Sequence, residues 1–180
     1  MKRFALSTIC LLAIFSIARA HEPEPGSLVS MVLDTKVQKE ILLTDAQRAD
    51  VENLRAADQK DPAAAQSTLL GTLKPSQVKR LREITYQARG GAAIADEAVA
   101  IELKLTPEQK AQVATIWRNK VLDLQMREKV ARFRNPAARS AWLLRNRREQ
   151  GDDLLAVLTE DQKKTFETMK GRPFDFGTKK

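Results

Sequence analysis

Apolar residues recur along this chain at helical spacing, and one short motif restarts the pattern four times. The copies read Leu43-Thr44-Asp45-Ala46-Gln47, Leu73-Lys74-Pro75-Ser76-Gln77, Leu105-Thr106-Pro107-Glu108-Gln109 and Leu158-Thr159-Glu160-Asp161-Gln162. After each Gln, apolar residues follow four and seven places on: Val51 and Leu54, Leu81 and Ile84, Val113 and Ile116, Phe166 and Met169. With the leading Leu they share one face of a 3.6-residue helix. No segment alternates with period two between turn signals, so the pattern predicts an all-α protein.

The motif is capping chemistry. A Thr at the N-cap accepts from the amide three residues on, and the Gln there reaches back to the N-cap N–H. The predicted capping residues are Thr44, Gln47, Gln77, Thr106, Gln109, Thr159 and Gln162. Lys74 stands where the other copies have Thr, which predicts a weaker cap. Pro107 suits the first helical position, and Asp45, Glu108, Glu160 and Asp161 suit the positive end of the helix dipole. The leading Leu is expected in the core, with a local staple available only against Val78.

Caps and breakers then divide the chain. Asp34 is expected to cap a helix to about Leu42, Thr44 one to about Lys60, and Asp61-Pro62 one to Thr72. A helix over 75–88 ends at Gly90-Gly91, Asp96 caps 97–104, and Thr106 starts a long helix to about Arg134. Asn135-Pro136 opens a helix to near Val157 with a weak point at Gly151, and the last helix spans 160–170 before Gly171. Residues 34–54 laid on 96–116 match at 8 of 21 positions, and a shift of 85 pairs Leu69, Leu70, Leu73, Gln77 and Lys79 with Leu154, Leu155, Leu158, Gln162 and Lys164. The expected architecture is a multi-helix bundle of two pseudo-repeated helix-turn-helix units (about 28–90 and 91–176) with one long helix, about 107–134. It forms a single domain over 28–180.

Residues 1–20 read differently. Lys2 and Arg3, an apolar run from Phe4 to Ile17 and Ala18-Arg19-Ala20 make a secretory signal peptide, too short to serve as a membrane span. Residues 21–27, with Pro23 and Pro25, read as a flexible leader. Cleavage near Ala20 directs the product to the periplasm or outside the cell. It removes the one Cys, Cys10, and three of the 31 basic residues, leaving 28 against 23 acids in the 160 residues from His21.

Composition then excludes chemistry. A mature chain without Cys has no disulfide or thiolate site, and the single His, His21, cannot build a Ser-His-Asp or Cys-His centre away from the N-terminus. Seven Gly without a phosphate-cradling motif remove the usual nucleotide loops. Glu40, Glu102, Asp152 and Asp153 lack a partner His and read as caps or surface ion pairs. His21 with Met31, Met126 and Met169 is too sparse a donor set for a metal site. The expectation is a non-enzymatic protein with no cofactor and no metal.

The Leu-Thr-x-x-Gln copies at 43–47, 105–109 and 158–162, behind a signal peptide and in helical register, resemble the LTxxQ-motif family of periplasmic proteins, which includes Spy-like and CpxP-like stress proteins. The resemblance covers about two-thirds of the mature chain. It implies a small helical periplasmic protein of the envelope stress response, often a cradle-shaped antiparallel dimer. Some members are ATP-independent chaperones that hold unfolded clients on a basic, partly apolar face.

One region could carry such a role. In the long helix, Val113, Ile116, Trp117, Val121 and Leu124 lie on one side, whereas Leu122, Met126, Val130 and Phe133 make a second stripe roughly opposite. The second stripe could meet helix 137–157, form a homodimer interface or bind clients. From Thr115 to Glu149, ten Lys/Arg face three acids, with aromatics at Trp117, Phe133 and Trp142. Such a cluster attracts acidic clients or anionic envelope polymer, or is a solvated face; export argues against nucleic acid. The candidate client-binding or dimer surface is Trp117, Met126, Arg127, Val130, Arg132, Phe133, Arg134 and Trp142. Expected partners are unfolded or envelope proteins, without stable membrane insertion. An envelope-associated interaction protein without chaperone activity is the alternative, and a metal-responsive sensor the third reading.

Overall fold

A computed structural model describes residues 27–130 and 136–177. Helices α1 (Leu28–Val32), α2 (Thr35–Glu40), α3 (Asp45–Lys60), α4 (Pro62–Thr72) and α5 (Pro75–Arg89) lead into a 3-10 turn, Gly90–Ala95. Then follow α6 (Glu97–Glu102), α7 (Pro107–Val130), α8 (Pro136–Leu155) and α9 (Glu160–Met169). The protein is all-α, with no strand among the described residues. The expected signal peptide, leader residues 21–26, and the expected end of the long helix at 131–135 lie outside the described residues.

The starts follow the caps. Thr44 Oγ1 accepts from Gln47 N at 3.2 Å, Thr106 Oγ1 from Gln109 N at 3.2 Å and Thr159 Oγ1 from Gln162 N at 3.3 Å. In return each Gln side-chain oxygen accepts from the N-cap amide at 3.1, 3.0 and 2.9 Å. Lys74 has no acceptor to offer, so α5 keeps half of this exchange, Lys74 N donating to Gln77 Oε1 at 2.8 Å. Asp34 caps α2 through Lys36 N at 2.7 Å, and Asp61 caps α4 through Ala64 N at 3.0 Å. Asp96 does not cap α6: its carboxylate is drawn to Arg89 Nη1 at 2.6 Å, a charge-assisted bond stronger than an amide could offer. Nothing in the sequence pattern marked α1, which Ser27 caps through Ser30 N at 3.1 Å and which buries Val29 and Val32.

The ends differ from expectation by a residue or two. α2 and α6 stop at Glu40 and Glu102 because Leu42 and Lys104 turn left-handed, with φ of 55° and 51°. Leu42 N donates to Lys39 O and Leu43 N to Gln38 O; Lys104 N donates to Ile101 O and Leu105 N to Ala100 O. These are Schellman ends, and the residue after each left-handed position, Leu43 or Leu105, is buried. The leading Leu of all four motif copies is buried, at 3 to 7 % exposure, so it belongs to the core.

Buried residues gather in two clusters. Val32, Val37, Val51, Leu69, Leu81 and Ile84 belong to the first, and Ile94, Val99, Val113, Leu154 and Phe166 to the second. Helix α5 serves both, since Leu81 and Ile84 point into the first and Tyr86 into the second. The weak point expected at Gly151 is instead a crossing. α8 runs through it and packs on the 3-10 turn, where a Cβ on Gly91 would lie 2.0 Å from Gly151 O. After α9 the chain returns: Phe174 packs on the first cluster and its N–H donates to Gln87 Oε1 at 2.8 Å. Arg172 reaches Glu40 Oε1 at 2.6 Å, and Arg80 bonds Glu40, Glu83 and the Arg172 carbonyl.

Candidate functional site

The four motif glutamines meet in pairs. Gln47 Nε2 donates to Gln77 Oε1 at 2.9 Å and Gln77 Nε2 returns a bond to Gln47 Oε1 at 3.0 Å. The other hydrogens go to helix-end carbonyls: Gln47 to Thr72 O at 3.0 Å, and Gln77 to Ile41 O and Leu42 O, both at 3.2 Å. The second pair repeats this wiring. Gln109 Nε2 and Gln162 Oε1 are 2.8 Å apart, and Gln162 Nε2 and Gln109 Oε1 3.0 Å. Gln109 also bonds Val157 O at 3.0 Å and Gln162 bonds Leu103 O at 3.2 Å. Each Gln therefore caps its own helix with its oxygen and closes the end of a distant helix with its nitrogen, carbonyls that would otherwise lack partners. Capping chemistry foretold the first half; the second half depends on residues 25 to 59 positions away. These residues hold the fold and offer no reacting group.

The expected client-binding or dimer surface is placed in part. Val113 is buried in the second cluster, and Ile116 and Trp117 pack partly against it, as the first stripe of α7 requires. Leu122, on the second stripe, is 51 % exposed. A groove of about 500 Å³ joins Val113, Trp117 and Leu122 to Ile94, Ala100 and Leu105, and Lys110 and Arg118 also line it. Of these, only Trp117 was singled out as a site residue from sequence; Ile94, Ala100 and Leu105 enter from the turn, α6 and the link after it, which no stripe on α7 could reveal. Trp142 on α8 is half-buried, and Asn146 Nδ2 donates to its carbonyl at 2.8 Å. Met126, Arg127 and Val130 lie on α7, but their side chains are outside the described ones, and Arg132, Phe133 and Arg134 lie outside the described residues. Of the described side chains between 114 and 149, none is buried.

α7 packs on α8, and Lys120 Nζ meets Asp153 Oδ2 at 2.7 Å, which raises the Lys120 pKa above its ordinary value. At the α7 start, Glu108 is held below the usual carboxylate range by a backbone hydrogen bond and then by the Thr106 hydroxyl. Burial raises Tyr86, the one tyrosine, above its ordinary value. Among the described residues no group of three or more His, Cys, Asp or Glu gathers as metal ligands would, and no helix is long and apolar enough to cross a membrane. Comparison of the chain with protein-family models, curated proteins and solved structures finds no match.

Proposed function

We propose that this is an exported, non-enzymatic helical binding protein that holds partly unfolded envelope proteins without ATP, in the manner of the Spy-like branch of the LTxxQ-motif proteins. One observation carries the reading. The α7–α8 region has an apolar stripe and an excess of basic residues in its sequence, and Leu122, the one member of that stripe whose side chain is described, is half exposed. Apolar anchors among flexible cations suit transient capture of unfolded chains, because the cations attract and the anchors hold. The groove at Trp117 and Leu122, with Arg118 beside it and Lys110 paired to Glu97, is of that kind. The four motif copies and the leader-like first 20 residues support the family and an address beyond the inner membrane.

The purified protein is expected to suppress aggregation of a denatured client without nucleotide. Phe133→Asp with Met126→Asp should abolish this while helicity is unchanged. No suppression at several-fold molar excess would remove the reading. The alternative, an envelope interaction protein whose second stripe is a homodimer contact, is favoured by the same exposed Leu122. It predicts a dimer by light scattering that the double variant converts to monomer, with no effect on client aggregation.

A further inference from the structure

From Pro173 to Gly177 the chain forms neither helix nor turn, and residues 172–177 lie against α2 and α5. Gln87 on α5 gives its whole side-chain amide to the main chain of this tail. Its Nε2 donates to Lys170 O at 2.5 Å and to Arg172 O at 2.8 Å, and its Oε1 accepts from Phe174 N at 2.8 Å. The amide thus brackets Pro173, meeting the carbonyl before it and the N–H after it. Arg80 Nη1 adds a second donor to Arg172 O, at 2.8 Å. Bonds of this kind hold a peptide backbone whatever side chains it carries.

Side-chain contacts then select. Glu40 Oε1 accepts from Arg172 Nη2 at 2.6 Å, and Phe174 packs on the first core cluster. Lys36 stands at the far end, where a Cβ on Gly177 would lie 2.1 Å from its Nζ. An anion under one end and a cation beside the other fix the direction in which a segment lies.

Exposure separates receptor from occupant. The Arg80 side chain is 11 % exposed and bonds Glu40 at 2.8 Å and Glu83 at 2.9 Å, so these three hold one another without help from the tail. The Arg172 side chain is 70 % exposed, and no residue from 172 to 177 is buried. Exposed hydrogen bonds and ion pairs each contribute little, which leaves the tail held by the Gln87 clamp and one half-buried ring. Gly171, with φ of 60°, joins it to α9 as a hinge.

We propose that the α2–α5 face is a binding site for non-helical protein segments that carry a basic residue two places before an aromatic one. Residues 172–177 are its tethered occupant, and an incoming segment displaces them. Tethering raises the local concentration of the tail, so binding in trans stays weak until the tail is loosened. The receptor side chains lie on α2 and α5 and none on α7 or α8, so the assignment stands apart from client holding there.

Fluorescence polarisation of a labelled peptide copying residues 171–177, titrated with the full chain, tests it. Arg172→Glu with Phe174→Ala loosens the tail. That variant should bind the peptide saturably, at a Kd of about 300 μM or tighter and at least about tenfold tighter than the unaltered chain. Gln87→Ala in the same background, or glutamate for arginine in the peptide, should each weaken binding at least about tenfold. Arg172→Glu alone changes only an exposed side chain and gives a second reading if the double variant unfolds. A weaker Kd for the loosened chain, equal binding to loosened and unaltered chains, or binding that survives Gln87→Ala would each overturn the proposal.

Discussion

The side chains of Gln47 and Gln77, 30 residues apart, form a closed pair in which each amide donates to the other's oxygen, at 2.9 and 3.0 Å. Both also cap their own helices and close the end of another, so one substitution unties several bonds at once. Gln77 is 7 % exposed, and its loss strands the carbonyls of Ile41 and Leu42. Gln77→Ala is therefore expected to cost about 2–3 kcal/mol in urea unfolding, more than a simple cap deletion of about 1 kcal/mol. The double variant Gln47→Ala/Gln77→Ala should cost clearly less than the sum of the singles, because the pair is already broken by the first. Strict additivity would show that the two act separately.

The crossing at Gly91 and Gly151 is asymmetric. A Cβ on Gly91 would collide with the Gly151 backbone, whereas a Cβ on Gly151 would meet Gly91 N at 3.3 Å, a contact a small shift relieves. Gly91→Ala is expected to destabilise by about 3 kcal/mol or more, since backbone cannot give way as a side chain does. Gly151→Ala lies inside α8, where Ala is favoured over Gly by about 1 kcal/mol, so it should be neutral within about 1 kcal/mol. Thermal melts of the two variants would check the contrast.

Leu42 is 80 % exposed and left-handed, at φ 55°. A leucine gains nothing from that site and carries the Cβ strain of the conformation. Leu42→Gly is expected to stabilise the protein by up to about 1 kcal/mol, and Leu42→Asn by somewhat less, read as a higher urea midpoint.

Alkaline titration isolates one group. Tyr86 is the one tyrosine, so absorbance at the tyrosinate band reports it alone, and its midpoint should lie above the usual value near 10. Burial favours the protonated form in the folded state. The stability linked to this group is thus complete below the unfolded value and is lost as pH rises through the folded one. Tyr86→Phe should flatten the alkaline decline in melting temperature, leaving the part contributed by Lys120, whose raised pKa gives the same sign.

These residues show where sequence was sufficient. Helix starts at Thr44, Thr106 and Thr159 were legible because donor and acceptor are three residues apart, inside one turn. Asp96 looked equally good, but Arg89 competes for its carboxylate, and that competitor is visible only once the turn at Gly90 folds back. The same holds for the glutamines: their capping half is local, while the partners Thr72, Val157 and Leu103 are fixed by packing. The Trp117 groove left little signal, because half of it comes from Ile94, Ala100 and Leu105, outside the helix that carries the tryptophan.

Both tryptophans of the chain, Trp117 and Trp142, lie on the α7–α8 region proposed to hold clients. Their fluorescence, followed while a tryptophan-free unfolded client is added, therefore reads that surface directly. Client holding there predicts a saturable shift in emission that Met126→Asp with Phe133→Asp removes. Unchanged emission at several-fold client excess, while the protein still prevents that client from aggregating, would place the holding surface elsewhere and contradict the proposal.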